Sequence, residues 1–276
     1  MADPVSTAPL SVTPAEPFRW VVEEGKVREF ARATSSTCAA HLRAVDPVAP
    51  VTFLTSSALW MAEENSAWRG IVRDFRNVLH GESEFWFARP LVAGTVLTAH
   101  QAVERQYSKA GRRGGTMAFT EVVTRFSAGD ELLATMKHVS IRTSEVPASA
   151  APPAAPVVPP VGAYVAPPLT VTDFVRYQGA SGDFNPIHHD TAYAVAAGFP
   201  GPFAVGMLTA GITANRIAAV HGATAVRRFR VRFSAQAWPG DALSYVEEPA
   251  DGEWSVRSTV SRPTGATHLT AWAELG

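Results

Sequence analysis

A chain of 276 residues with 46% hydrophobic and 18% charged residues is ordinary for a globular protein and long enough for about two domains. A formal net charge of −1 and the absence of any block of like charges argue against nucleic acid or an anionic membrane as a partner. The single cysteine, Cys38, excludes an internal disulfide and a cysteine-built metal site, and no apolar stretch is long enough to span a bilayer.

Residues 1–16 carry neither a basic opening nor an apolar run, so a loose tail is expected rather than a signal peptide, on a cytoplasmic protein. A first unit is expected over 17–144. It opens with a helical segment around 27–32 and continues with a buried helix over 51–64 (VTFLTSSALWMAEE). Strands follow at 83–87, 96–106, 116–127 and 132–143. Residues 145–168 are almost wholly Ala, Pro and Val, the composition of a semi-rigid extended linker. In the second unit, 169–276, a helix over 173–179 has Thr172 as its predicted N-cap, and a polar loop follows at 183–188. Leu208, Ile212, Ile217 and Val220 then recur at helical spacing among Ala and Gly, a helix over 205–220 buried on most faces and ended by His221-Gly222. Strands at 226–235, 242–247, 254–261 and 268–274 complete the chain.

The two units match each other. Val27-Arg28-Glu29-Phe30-Ala31-Arg32 corresponds to Val171-Thr172-Asp173-Phe174-Val175-Arg176, an offset of 144. Phe87, Gly94 and Leu97 correspond to Phe233, Gly240 and Leu243, an offset of 146. A duplication explains both, and predicts an α+β protein of two repeats. Each would be a long buried helix wrapped by a bent antiparallel sheet, the sheets pairing edge to edge so that no long edge stays free.

The densest chemistry lies in Ser181-Gly182-Asp183-Phe184-Asn185-Pro186-Ile187-His188. Gly182 and Pro186 break any helix there, so a carboxylate, an amide and an imidazole can converge. A His beside a carboxylate can act as base and then acid near neutral pH. The same residue types also make plain Asx turns. The duplication bears on that choice: at the offset of 144, Asp183 falls opposite Ala39 and His188 opposite Ala44, so the fold does not require the polar pair.

The stretch YQGASGDFNPIHHDTAYA from Tyr177, with Gly198-Phe199-Pro200-Gly201-Pro202 and Gly206-Met207-Leu208, resembles the hydratase motif of the MaoC-like, R-specific enoyl-CoA hydratases and 3-hydroxyacyl-thioester dehydratases. His80-Gly81-Glu82 onward and the run from Gly111 to Phe119 resemble the non-catalytic N-terminal domain of two-domain members. The resemblance implies a double hot dog fold. It also implies that Asp183 and His188 act on water, that Asn185 supports them, and that the backbone N–H of Gly206 receives the thioester oxygen. No cofactor is implied. The substrate would be an acyl-CoA or acyl carrier protein thioester, and the chain a monomeric pseudo-dimer or a homodimer.

Those roles suit the chemistry of adding water to an α,β-unsaturated thioester. It needs a base for the attacking water, a proton for C2 and a donor for the developing enolate oxygen. Ser181, Phe203 and Val205, with Phe53 and Leu59 from a first-half helix opened to admit the acyl chain, are expected to contact the substrate. Val205 stands where the family usually has His. Lys109, Arg112 and Arg113 are candidates for the carrier's phosphates. His188-His189-Asp190 lacks a third cluster of ligands, so no metal is expected. A non-catalytic thioester-binding or partner subunit, or a thioesterase, remains the alternative on the same fold.

Overall fold

The computed structural model describes residues 8–71, 78–111, 115–144 and 155–276. In the first half, β1 (Phe18–Val21) precedes α1 (Glu24–Ala33) and the short α2 (Ala39–Leu42), then a 3-10 helix at Val51–Trp60. The strands β2 (Val78–Phe87), β3 (Val96–Ala110), β4 (Thr116–Ala128) and β5 (Glu131–Thr143) follow. The second half has β6 (Tyr164–Val165), α3 (Val171–Ser181), α4 (Thr191–Ala196) and α5 (Gly206–His221), then β7 (Val226–Phe233), β8 (Ser244–Pro249), β9 (Val256–Ser261) and β10 (Thr267–Leu275).

The strands form one antiparallel sheet in the order β1-β3-β4-β5-β2-β7-β10-β9-β8-β6. Its two halves meet edge to edge at β2 and β7, as the α+β double hot dog expectation requires, with Phe85 opposite Phe229. Glu82 with Arg230 (2.7 Å) and Glu84 with Arg228 (2.6 Å) brace that seam. The repeat is visible in the backbone: Gly94 and Gly240 both hold left-handed conformations, φ 86° and 92°.

Helices from both halves share one core. Phe30 meets Tyr177 at 5.7 Å between ring centres, and both side chains are fully buried. Each such burial stabilises by about 1.5–3 kcal/mol. Gly211 of α5 lets the halves approach, since a Cβ there would sit 2.6 Å from Thr34 Cγ2. Asn215, on the same helix, donates to the Thr34 carbonyl at 3.0 Å.

Four sequence expectations need correction. The buried helix expected over 51–64 is of the 3-10 type and ends at Trp60, followed by a 3-10 turn at Glu63–Asn65. Thr55, Ser56 and Ser57 each donate a side-chain hydroxyl to the carbonyl three residues back, and such local bonds pull a β-branched, hydroxyl-rich run away from α geometry. The N-cap of α3 is Thr170 rather than Thr172. Its hydroxyl accepts from Asp173 N–H (3.2 Å), and the Asp173 carboxylate accepts from Thr170 N–H (2.9 Å), a reciprocal capping box that starts the helix two residues earlier.

The described part of the expected loose tail 1–16 is tied down, because the Gln106 side-chain amide accepts from Leu10 N–H and donates to the Leu10 carbonyl (2.7 and 3.0 Å). The described part of the linker 145–168 likewise lies along the second half. Val157 N–H donates to the Pro263 carbonyl at 2.8 Å, and β6 pairs with β8. No helix of the described residues is long and apolar enough to cross a membrane.

Candidate active site

The loop after α3 is assembled by backbone geometry first. Gly182 ends the helix at φ 81°, its N–H donating to the Gln178 carbonyl at 2.9 Å. A Cβ on Gly182 would lie 2.9 Å from Leu59 Cγ, so the 3-10 helix of the first half presses against the loop of the second. Ser181 Oγ accepts from Asp183 N–H, Asp183 Oδ1 accepts from Asn185 N–H (both 3.3 Å), and Asn185 Oδ1 accepts from Ile187 N–H (3.1 Å). This chain of Asx-type bonds folds Pro186–His188 into a 3-10 turn. The Asn185 amide oxygen is thereby committed to the backbone and positions the loop.

Gln178, which the sequence reading did not single out, holds the loop from behind. It is buried, donates through Nε2 to the Asn185 carbonyl (2.9 Å) and accepts through Oε1 from His189 Nδ1 (2.8 Å). Its only signal in the sequence was a polar residue on the buried face of α3.

His188 Nδ1 lies 2.8 Å from the Phe203 carbonyl. A carbonyl only accepts, so Nδ1 carries the proton and the neutral ring keeps its lone pair on Nε2. Burial lowers the His188 pKa below its ordinary 6.5, against the opposing pull of Asp183 and of the Phe203 carbonyl. The ring is therefore a neutral base at neutral pH. It packs edge-on to Phe203, 5.1 Å between centres.

Gly206 is the first residue of α5. Its N–H has no acceptor within the helix, and Val205, as N-cap, offers no side-chain oxygen to the first turn. The helix dipole and this amide together make a seat for a developing oxyanion. A Cβ at 206 would lie 3.0 Å from the Phe233 ring, so a larger residue there would have to push that ring back by a few tenths of an ångström.

These groups converge on one cavity of about 730 Å³ whose lining includes Ser181, Asp183, Asn185, His188, Phe203, Val205 and Gly206. Tyr177 also lines it; its hydroxyl lies 3.4 Å from Thr55 Oγ1, and burial raises its phenol above the ordinary range. His268 reaches the same cavity as a neutral support. Its Nδ1 donates to the Ala235 carbonyl (2.6 Å), Thr209 Oγ1 lies 2.8 Å from its Nε2, and burial holds its pKa at about 4.

Two expected substrate contacts are misplaced. Phe53 is buried between Trp20 and Phe30, ring centres 5.6 and 5.5 Å away, and Leu59 lies against Gly182; neither lines the cavity. Thr55 and Ala58 line it instead, because a three-residue turn brings positions i and i+3 onto one face. Lys109 stacks over Tyr107 and Phe119, outside the lining, and Arg112 and Arg113 fall outside the described residues. Among the described residues no three His, Cys, Asp or Glu side chains group as metal ligands would.

Known proteins resemble both halves. Residues 155–269 match the family described as MaoC like domain, and residues 12–136 match the FAS1-like dehydratase domain region. Enoyl-CoA hydratase ChsH3 of Mycobacterium tuberculosis is 41% identical over 83 residues, a stretch spanning 29% of this chain and 29% of that protein. 3-Hydroxyacyl-thioester dehydratase X of the same organism is 29% identical over 199 residues, covering 70% of this chain and 67% of its own length. A solved MaoC-like dehydratase superposes with a TM-score of 0.77 at 23% identity, covering 95% of this chain and 98% of that one.

Proposed function

We propose, from the premise that the chain belongs to the MaoC-like dehydratase family, that its cavity adds water reversibly to trans-2-enoyl thioesters and so also dehydrates (R)-3-hydroxyacyl thioesters. The observation that carries this reading is the fixed tautomer of His188. Its Nδ1 is held by the Phe203 carbonyl, and the basic Nε2 shares one cavity with Asp183 and the leading amide of α5.

In the hydration direction, water binds between Asp183 and His188. One of the pair takes a proton from the water as its oxygen bonds to C3, and the C2–C3 π electrons move toward the thioester carbonyl. The resulting enolate oxygen is met by the Gly206 N–H and the positive end of α5. The C2 carbon then takes up the proton, so the sum is one water added. Acid and base on one loop deliver both parts of the water to the same face, a syn addition. Dehydration is the same path reversed. The arm linking acyl group and carrier is common to CoA and acyl carrier protein, and both are proposed as carriers.

The test follows the enoyl absorbance of crotonyl-CoA while titrating free thiol. Loss of absorbance with no thiol released is expected, and Asp183→Asn or His188→Ala should each lower the rate about 10²–10⁴-fold. Release of thiol would mark a thioesterase instead. Unchanged absorbance with crotonyl and longer enoyl thioesters on either carrier would end the hydratase reading.

A further inference from the structure

We infer that the acyl group this cavity accepts carries a neutral hydrogen-bonding oxygen, a hydroxyl or a ketone, on its chain beyond the reacting double bond. This rests on the hydratase reading and concerns the part of the cavity that the reaction does not use.

The first half contributes a wall of unusual polarity. His80, Ser83, Gln101, Thr124, His138 and Ser140 all line the cavity from β2, β3, β4 and β5. Strand register sets them in rows. Gln101 stands opposite Thr124, Ser83 opposite His138, and His80 opposite Ser140. Most of these side chains are deeply buried, with Ser83, Thr124 and Ser140 only 3%, 1% and 8% exposed. The sister half treats most of its buried strand positions differently: on β7 and β10, Phe229, Val231, Leu269, Ala271 and Ala273 are apolar, and His268 is the buried polar residue among them. The fold therefore does not require a polar wall here.

Bonds within the protein use part of this capacity. His80 Nε2 meets Ser83 Oγ at 2.8 Å, and Gln101 accepts from Ala67 N–H at 2.9 Å and donates to Thr124 Oγ1 at 3.3 Å. Each hydroxyl has one proton and two lone pairs, so Ser83, Thr124 and Ser140 keep capacity for a further partner. A plain alkyl chain filling the space would drive out water and leave that capacity unmet. An oxygen on the acyl chain would meet it.

Charge narrows the class. No Lys or Arg stands among the described lining residues, and burial with the neighbouring His138 holds His80 well below the ordinary imidazole range. Among the described lining residues a terminal carboxylate would find no Lys or Arg as countercharge, whereas a hydroxyl or ketone needs none. Val78, Leu79, Val122 and Met136 lie among the polar side chains, so the frame of the acyl group is still carbon.

The test is calorimetric binding of saturated pantetheine thioesters, which carry the arm common to both carriers and cannot be hydrated. Octanoyl-pantetheine is compared with chains of the same length bearing a hydroxyl or ketone on the last carbons. At least one oxygenated chain is expected to bind roughly tenfold tighter or more. Ser140→Val and His138→Phe should erase that advantage while leaving octanoyl binding unchanged or tighter. Equal or tighter binding of the plain chain, an advantage that survives both substitutions, or no binding by any thioester would overturn the inference. The crotonyl-CoA assay separates the two readings. Hydration without an oxygen preference refutes this inference alone, and an oxygen preference without hydration refutes the reaction alone.

Discussion

Gly182 shows how much rests on one missing methyl group. Its φ of 81° is left-handed, and Leu59 of the other half leaves no room for a Cβ. Gly182→Ala must either strain the turn or push Leu59 away, at a cost of about 1–3 kcal/mol. Because Asp183 follows directly, the rate should fall with the stability. Urea denaturation and crotonyl-CoA turnover would show both losses, and a variant matching the wild type in each would remove Gly182 from this role. The polar loop residues themselves were legible in the sequence, since Asp183, Asn185 and His188 stand within six positions. Gln178 was not, because its value lies in facing the Asn185 carbonyl and His189, which only the turn of the chain brings to it.

At the scale of elements, the two halves differ in what fills the space inside each sheet. The second has a four-turn α5, rich in Ala with Gly, Thr, Leu and Ile, buried on nearly every face. The first has a 3-10 helix at Val51–Trp60, whose Thr55 and Ala58 line the cavity. A large side chain there should shorten the accepted acyl chain. Ala58→Phe is expected to lower kcat/KM for long enoyl thioesters about tenfold or more relative to crotonyl-CoA. Equal losses at all chain lengths would place the acyl group elsewhere. Strands were the easiest elements to read, because alternation reports a half-buried sheet directly. The 3-10 helix was not, since an apolar run with hydroxyls has no period that separates 3.0 from 3.6 residues per turn.

For the whole molecule, burial of imidazoles makes stability depend on pH. His41 and His268 are each lowered from 6.5 to about 4, and His80 and His188 are lowered as well. Below pH 6.5 the unfolded chain takes up protons at these positions while the folded chain does not, so unfolding gains as pH falls toward the folded values. Stability is therefore full above about pH 6.5 and lost progressively toward pH 4, by up to about 3 kcal/mol for each of His41 and His268. Urea midpoints at pH 7.5, 5.5 and 4.5 should decline in that order, and His268→Gln should flatten part of the decline. A midpoint independent of pH would contradict the neutral buried state of these rings.

The sequence by itself determined the class of the protein: the repeat, the longer strands and most of the longer helices of each half, the edge-to-edge pairing, and the one loop where carboxylate, amide and imidazole gather. All of these are local or periodic properties, written in neighbouring residues and in the spacing between matching ones. The tertiary structure alone decided which nitrogen of His188 is basic, that Phe53 belongs to the core, and that His80, Ser83, Thr124, His138 and Ser140 share a cavity with a loop in the other half of the chain. Those depend on strand register and on the approach of two halves. No local pattern encodes either, because each is set by how distant surfaces fit.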